Sequence, residues 1–297
     1  MAAARAVRAD GDPPHLVFVG AAGTGAESAA DEWHPVGDWS TDGTATLAGR
    51  LAGDSIVAAT QLAAAGEVDA IVTAPIDKAA LNDGGHPFPG HTEMLAALAG
   101  APEVAMMMAA ESTVYGTPLR VVLATTHIPL SRVTERLTAD LLVSQARLTS
   151  DALRQCWAIA HPRVALCAVN PHASDGGLFG DEESRIMVPA LERLRAAGCD
   201  VSGPVPADTV FVRALRGEFD AVVAPYHDVG MAAFKTVSFG HGVNVTLGLP
   251  FVRTSPDHGT ALDIAGRGVA DPSSMTEALR LAIRLARARA TNATTGQ

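Results

Sequence analysis

Three histidines in this chain stand just past short apolar runs: His127 after Leu123-Ala-Thr-Thr, His172 after Val169-Asn-Pro and His227 after Ala224-Pro-Tyr. Apolar runs of that length read as buried strands. In a parallel α/β sheet the C-terminal strand ends lie on one edge, so residues 45 and 55 positions apart in sequence can converge there. Three neutral imidazoles around an open position suit a borderline divalent ion such as zinc, with substrate or water as the remaining ligand. The same histidines could equally be hydrogen-bonded or catalytic groups that never share a metal, because their spacing is no established metal signature.

The second chemical feature is the stretch from Asp220 to Ser274, densest at Ala224 to Lys235 and Gly242 to Asp263. It gathers two of the acids, Asp228 and Asp263, with Lys235, Asn244, Arg253 and two histidines among glycines and prolines, and reads as loop at strand ends. Lys235, Arg253 and Asn244 suit a phosphate or carboxylate, with the arginine able to bind two oxygens at once. Further back, His91 and Thr92 stand before the helical pattern Met94 to Ala99, with Thr92 read as a helix N-cap. Unpaired N–H groups at such a start also favour an anion. A bound cation here would polarise a substrate hydroxyl and carbonyl while hydride leaves the same carbon.

The elements that must hold these groups alternate. Strands are expected at Leu16–Gly20, Val68–Pro75, Val104–Met108, Leu119–Ala124, Arg163–Val169 and Ala221–Ala224. Helices are expected at about 43–65, 94–99, 131–157, up to Ala197, and over a tail from Pro272 to about Ala290, with Thr291 to Gln297 frayed. This order predicts an α/β fold with a largely parallel sheet. The run Gly20-Ala-Ala-Gly-Thr-Gly matches neither a dinucleotide fingerprint nor a Walker loop.

Composition limits the function classes. The 297 residues carry 22 basic and 32 acidic side chains, a net charge of −10, which argues against non-specific nucleic-acid binding. Hydrophobic residues make up 48% but aromatics only 4%, so the core must be aliphatic. No apolar run approaches the length of a membrane span. Cys156, Cys167 and Cys199 lack metal spacing and read as buried thiols of a reducing compartment. The start Met1 to Arg8 has no apolar signal-peptide core, and a cytoplasmic protein is expected.

Several segments carry a family resemblance: Val72-Thr-Ala-Pro-Ile-Asp-Lys78, Pro89-Gly-His-Thr-Glu93, Thr125-Thr-His-Ile-Pro-Leu130, Asn170-Pro-His-Ala with Gly176-Gly-Leu-Phe-Gly180, Gly203-Pro-Val-Pro-Ala-Asp-Thr209, Tyr226-His-Asp228, and Gly242 through Gly266. In this order, across roughly Val68 to Met275, they resemble the 4-hydroxythreonine-4-phosphate dehydrogenase family of vitamin B6 (pyridoxine) biosynthesis. The resemblance implies a fold like isocitrate and isopropylmalate dehydrogenases, with two α/β domains around a central cleft. It implies a homodimer with active sites at the interface, and discontinuous subdomains of about 1–100 with 240–297 and 101–239. It implies a divalent metal (zinc, magnesium or cobalt) on His127, His172 and His227, shared between subunits. It further implies a phosphorylated substrate on His91, Thr92, Lys235, Asn244 and Arg253, with Asp208 and Asp228 beside metal and substrate. Lys235, Asp208 and Asp228 are the expected catalytic groups. The loop His258-Gly-Thr-Ala-Leu-Asp263 is similar to an adenine-side NAD loop, which gives His258, Gly259, Thr260 and Asp263 a cofactor role. The implied reaction is NAD- or NADP-dependent oxidation of a secondary alcohol to a β-keto acid that loses CO2. Threonate or erythronate 4-phosphate, a dihydrodiol dicarboxylate, or a non-redox metal and anion site without cofactor use are the alternatives.

Two departures stand out. The family opens with a strand and a Gly-Asp-Pro-Ala-Gly-Ile-Gly-Pro-Glu loop, of which Gly11-Asp-Pro-Pro14 shares only three residues. The chain thus reads as a divergent member that begins about one strand-helix unit late, which bears on NAD use more than on metal or anion binding. The second is Val229, with Ala232 and Ala233, where the family has Gln and Ile-Pro; the alanines are expected to loosen a loop backbone that proline would restrict.

Overall fold

In the computed structural model, which describes residues 1–40, 43–238 and 240–295, the chain divides into two compact units. The first comprises Met1–Pro102 and Leu249–Ala286, the second Glu103–Gly248 and Arg287–Gln297.

The first unit begins with helix α1 (Ala2–Arg8) and strand β1 (Val17–Ala22), which pairs in parallel with β2 (Glu32–Asp38). Neither α1 nor β2 is evident in the sequence. Helix α1 is short and alanine-rich, and is held by burial of Ala4 and Val7 against Leu16, Ala29, Leu279 and Ile283. Strand β2, Glu-Trp-His-Pro-Val-Gly-Asp, lacks the apolar run by which the other strands announce themselves. Helix α2 (Ala45–Ala65) has clear start and stop signals: Thr44 Oγ1 accepts from Leu47 N at 3.1 Å, and Gly66 ends it at φ 74°. Strand β3 (Ala70–Val72) follows, then α3 (Lys78–Asp83), capped by Asp77, and α4 (His91–Ala99). Far down the chain β10 (Val252–Pro256) returns to pair in parallel with β3, and Thr254 Oγ1 donates to Ala278 O of α10 (Ser273–Thr295) at 2.8 Å. Helix α10 therefore runs on through Thr291 to Thr295 where fraying was expected; Gly296 and Gln297 lie outside the described residues.

The second unit holds β4 (Ala105–Ala110), β5 (Leu119–Thr125), α5 (Val133–Arg136), α6 (Ala139–Trp157), β6 (Arg163–Cys167), α7 (Val188–Ala196), β7 (Asp200–Val205), α8 (Ala207–Leu215), β8 (Ala221–Tyr226), α9 (His227–Ser238) and β9 (Val243–Leu247). Its strands run in the order β9-β4-β5-β8-β6-β7. From β5 to β7 neighbours are parallel, but β4 is antiparallel to both β5 and β9, so the sheet is mixed where a largely parallel one was expected. The cause is the short link from β4 to β5, which has room for a reversal and none for a crossover helix. Leu119, Val121, Leu123, Val222 and Ala224 pack with Val210, Phe211, Met231 and Phe234 of α8 and α9. Side chains alternate along a strand, so Val122 and Val223 turn to the other face, which α6 covers.

The cysteines are free, but only Cys167 is buried; Cys156, in the last turn of α6, and Cys199, in the turn between α7 and β7, are partly exposed. Among the described residues no helix is long and apolar enough to cross a membrane.

Candidate active site

In the second unit the three histidines follow three adjacent parallel strands, in spatial order β5, β8, β6. Thr125, at the end of β5, donates its hydroxyl to Pro225 O of β8 at 2.8 Å, which pins the two strand ends together. His127 lies two residues beyond one end of that pin and His227 two beyond the other. Their ring centroids are 5.5 Å apart, with the planes tilted by 46°. His227 Nδ1 lies 2.7 Å from Asp228 Oδ1. With Nδ1 donating, Nε2 is left as the lone-pair nitrogen, the arrangement common among metal-bound imidazoles.

His172 is held differently. It opens a turn in which His172, Ala173, Ser174 and Asp175 all have positive φ, from 44° to 70°, continued by Gly176 at 69° and Gly177 at 98°. Left-handed backbone is costly for residues with a Cβ. The turn closes around Glu183, which is 3% exposed. Its carboxylate accepts from Val169 N at 2.9 Å, Asn170 N at 2.7 Å, Asn170 Nδ2 at 2.9 Å and the Ser174 hydroxyl. Burial pushes the Glu183 carboxyl up, but the hydrogen bonds from Asn170 and Ser174 outweigh it and hold the group below its ordinary value. The His172 ring meets Phe179 edge-on at 6.3 Å. Among the described residues no group of three or more His, Cys, Asp or Glu side chains is arranged to hold a metal ion. One chain therefore brings His127 and His227 together and leaves His172 outside that pair.

The stretch Ala224 to Lys235, expected to be loop, is the end of β8 run directly into α9. His227 and Asp228 occupy the first turn of α9, and Lys235 lies two turns on, near the same face by the helical repeat. Ala232 and Ala233 are mid-helix, so they stabilise regular backbone where loosening was expected. Val229 packs against the buried cluster under the sheet. Asp208 is exposed in the first turn of α8. Asn244, on β9, has its Oδ1 buried with no hydrogen-bond partner among the described residues. An orphaned buried acceptor of this kind calls for a donor from outside the chain's own described atoms.

In the first unit, His91 and Thr92 are the first residues of α4, and Gly90 takes the N-cap position expected for Thr92. Gly90 leaves the first N–H groups without a side-chain cap, which favours an anion there. Arg253 of β10 is 2% exposed, and its Nη2 donates to Thr73 Oγ1 at 2.7 Å. Burial lowers the guanidinium to about 10, opposed by Glu93, so it stays charged at neutral pH. Burial, then the charges of Arg253 and Lys78, push His91 down to about 3, so its imidazole is neutral. Thr73 and His91 line a cavity of about 280 Å³ together with Ser55 and mostly aliphatic residues, among them Val19, Ile56 and Ile71. His258, Gly259, Thr260 and Asp263 lie in a mostly exposed loop, where His258 Nδ1 lies 2.9 Å from Gly259 O and Ala261 adopts φ 47°.

Sequence reasoning passed over Thr73, Thr125 and Glu183. Thr73 and Thr125 end apolar runs and are marked only by position. Glu183 closes the polar run Gly180-Asp-Glu-Glu, and nothing local separates it from the two acids before it.

The family described as pyridoxal phosphate biosynthetic protein PdxA matches residues 29–282. The chain belongs to the PdxA family. A PdxA relative, the 4-hydroxythreonine-4-phosphate dehydrogenase of Paracoccus denitrificans, is 52% identical over 232 residues, covering 78% of this chain and 71% of its own. The D-threonate 4-phosphate dehydrogenase of Cupriavidus necator is 51% identical over 225 residues, covering 75% of this chain and 66% of its own length. The PdxA fold is shared with the crystal structure of 4-hydroxythreonine-4-phosphate dehydrogenase from Klebsiella pneumoniae, at a TM-score of 0.77 and 41% identity over 86% of this chain and 79% of that one. A terephthalate 1,2-cis-dihydrodiol dehydrogenase from Burkholderia xenovorans is also similar, at a TM-score of 0.63 and 32% identity over 86% of this chain and 81% of that one.

Proposed function

We propose that this PdxA-family chain is a metal- and NAD- or NADP-dependent, decarboxylating dehydrogenase of a phosphorylated 3-hydroxy acid, working in the cytoplasm. The observation that carries the reading is the His127–His227 pair, set 5.5 Å apart at the ends of adjacent parallel strands. The donor chemistry fits a divalent metal, because neutral imidazole is a common ligand and Asp228 can fix the His227 tautomer. His127, His172 and His227 would hold the ion, with zinc, cobalt and magnesium as the candidates.

A second copy of the chain would complete this set. The pair is incomplete alone, and the His172 ring meets Phe179, which is 45% exposed and follows Leu178, itself 73% exposed. Large apolar side chains left in water next to an incomplete site favour a homodimer whose sites lie at the interface.

When bound, the metal would act as a Lewis acid on the substrate's hydroxyl and carbonyl oxygens. The chain's own groups orient the substrate and move its protons. His91, Thr92, Lys235, Asn244 and Arg253 are the groups we assign to the phosphorylated substrate. Neutral His91 donates one N–H without adding charge, while Arg253 supplies the fixed positive charge. Lys235, Asp208 and Asp228 are the groups for proton transfer at the reacting hydroxyl and at the carbon that loses CO2. The loop of His258, Gly259, Thr260 and Asp263 serves the nicotinamide cofactor.

For the substrate, 4-hydroxythreonine 4-phosphate and D-threonate 4-phosphate are the two leading candidates, because relatives named for each stand at 52% and 51% identity. The test is reduction of NAD or NADP by each compound with zinc, cobalt or magnesium present, followed by absorbance of the reduced nicotinamide. Turnover with either phosphate ester supports the reading. Cofactor binding undetectable by calorimetry, with metal and both compounds present, would leave a non-redox metal and anion site in its place. His172→Ala is expected to lose bound metal; full stoichiometric retention, read by plasma mass spectrometry, refutes the three-histidine set.

A further inference from the structure

We infer that Glu183 is a positioning residue for metal binding, acting through the left-handed turn that presents His172. The inference rests on the proposed role of His172 as a metal ligand.

Four successive residues with a Cβ, His172 to Asp175, occupy positive φ, a conformation each of them disfavours alone. Something must over-determine the turn, and the hydrogen bonds show what does. One buried carboxylate gathers the two N–H groups that lead into it, Val169 and Asn170, the Asn170 side-chain amide and the Ser174 hydroxyl within it. These donors bracket His172 on both sides, so fixing them fixes the Cα–Cβ direction of the histidine between. Asn170 is held a second time, by Glu182 at 2.7 Å. Glu183 itself begins the helical segment that continues into α7, so the turn is referenced to a regular element instead of to the loop that carries it. Strained backbone held by surrounding bonds is a means of pre-setting a functional side chain.

Glu183→Gln keeps the shape but replaces an acceptor oxygen by a donor amide, which opposes the N–H groups it meets. Ser174→Ala removes one donor and leaves the carboxylate. Zinc affinity of the full-length chain, by competition with a chromophoric chelator, is measured alongside hydrogen exchange of amides 170–177. Leu285→Ala, a buried truncation in the first unit, serves as a control for general loss of stability.

Glu183→Gln is expected to weaken zinc binding by about tenfold or more and to speed exchange in the turn, with Ser174→Ala weaker in both. The control should lower the melting temperature without changing zinc affinity. Unchanged zinc affinity in Glu183→Gln, unchanged exchange in the turn, or an equal affinity loss in Leu285→Ala each overturns the inference. Should Glu183→Gln fail to fold, Ser174→Ala decides by the same two readouts. A wild-type chain that binds no zinc, cobalt or magnesium overturns the metal reading together with this one, and is told apart because the defect is then present before any substitution.

Discussion

The hydroxyl of Thr125 and the carbonyl of Pro225 meet at 2.8 Å, although 100 positions of sequence separate them. This bond joins the ends of two parallel strands, each two residues before a histidine. Thr125→Val would leave a buried carbonyl without its donor. It is expected to cost about 1–3 kcal/mol in urea unfolding and to weaken zinc binding, because the spacing of His127 and His227 depends on the two strand ends.

Asp228 holds one nitrogen of His227 at 2.7 Å. Asp228→Asn keeps a polar partner but removes the charge that fixes the tautomer. Zinc affinity is expected to fall about 10- to 100-fold with little change in melting temperature, since the Asp228 side chain is 88% exposed.

Arg253 is a buried cation whose removal should separate stability from binding. The acid that acts on Arg253, Glu93, is exposed, so removing the arginine leaves that carboxylate in water and not as an uncompensated buried charge. Arg253→Met is therefore expected to melt near the wild type, while KM for the phosphorylated substrate rises about tenfold or more, the effect of losing a charge-assisted hydrogen bond. A KM unchanged at saturating cofactor would remove Arg253 from the anion site.

His91 makes the first unit sensitive to acid. Its folded value of about 3 lies below the ordinary 6.5, so the unfolded chain binds the extra proton between those values. Stability from a neutral His91 is thus fully present above pH 6.5 and is lost as pH falls towards 3. His91→Gln should flatten this part of the profile of urea midpoint against pH, and an unaltered slope would count against the assignment.

Gly49 lies in α2 where it crosses α3, and a Cβ there would overlap the carbonyl of Ala80. Gly49→Ala would gain helix propensity but force the helices apart, with a net loss of about 1–3 kcal/mol expected in chemical denaturation. A stabilised variant would show that the crossing can relax.

Much of the framework can be read from the chain. Strands β3 to β6 and β8 are apolar runs, and α2 carries both its cap and its terminal glycine, so local physics is enough for them. The same holds for the histidines at strand ends, since a strand's end and the polar residue after it are neighbours in sequence. Helix α1 and strand β2 escape notice because their burial or pairing comes from partners remote in the chain. Helix α9 was masked by the glycine and polar residues around His227, whose loop-like composition says nothing of the backbone bonds that make it helical.

What the sequence determined by itself is the family, the residue types and those strands and helices that carry their own apolar pattern: the histidines, Lys235, Asn244, Arg253 and the apolar runs are all local patterns. What only the tertiary structure decided is which of these groups meet. It set His127 beside His227, buried Arg253 against Thr73, and gathered the turn around His172 onto Glu183. The first two contacts depend on strand order, register and burial, because packing brings together residues about a hundred or more positions apart; the third closes within 14 residues but depends on a left-handed backbone that composition does not announce.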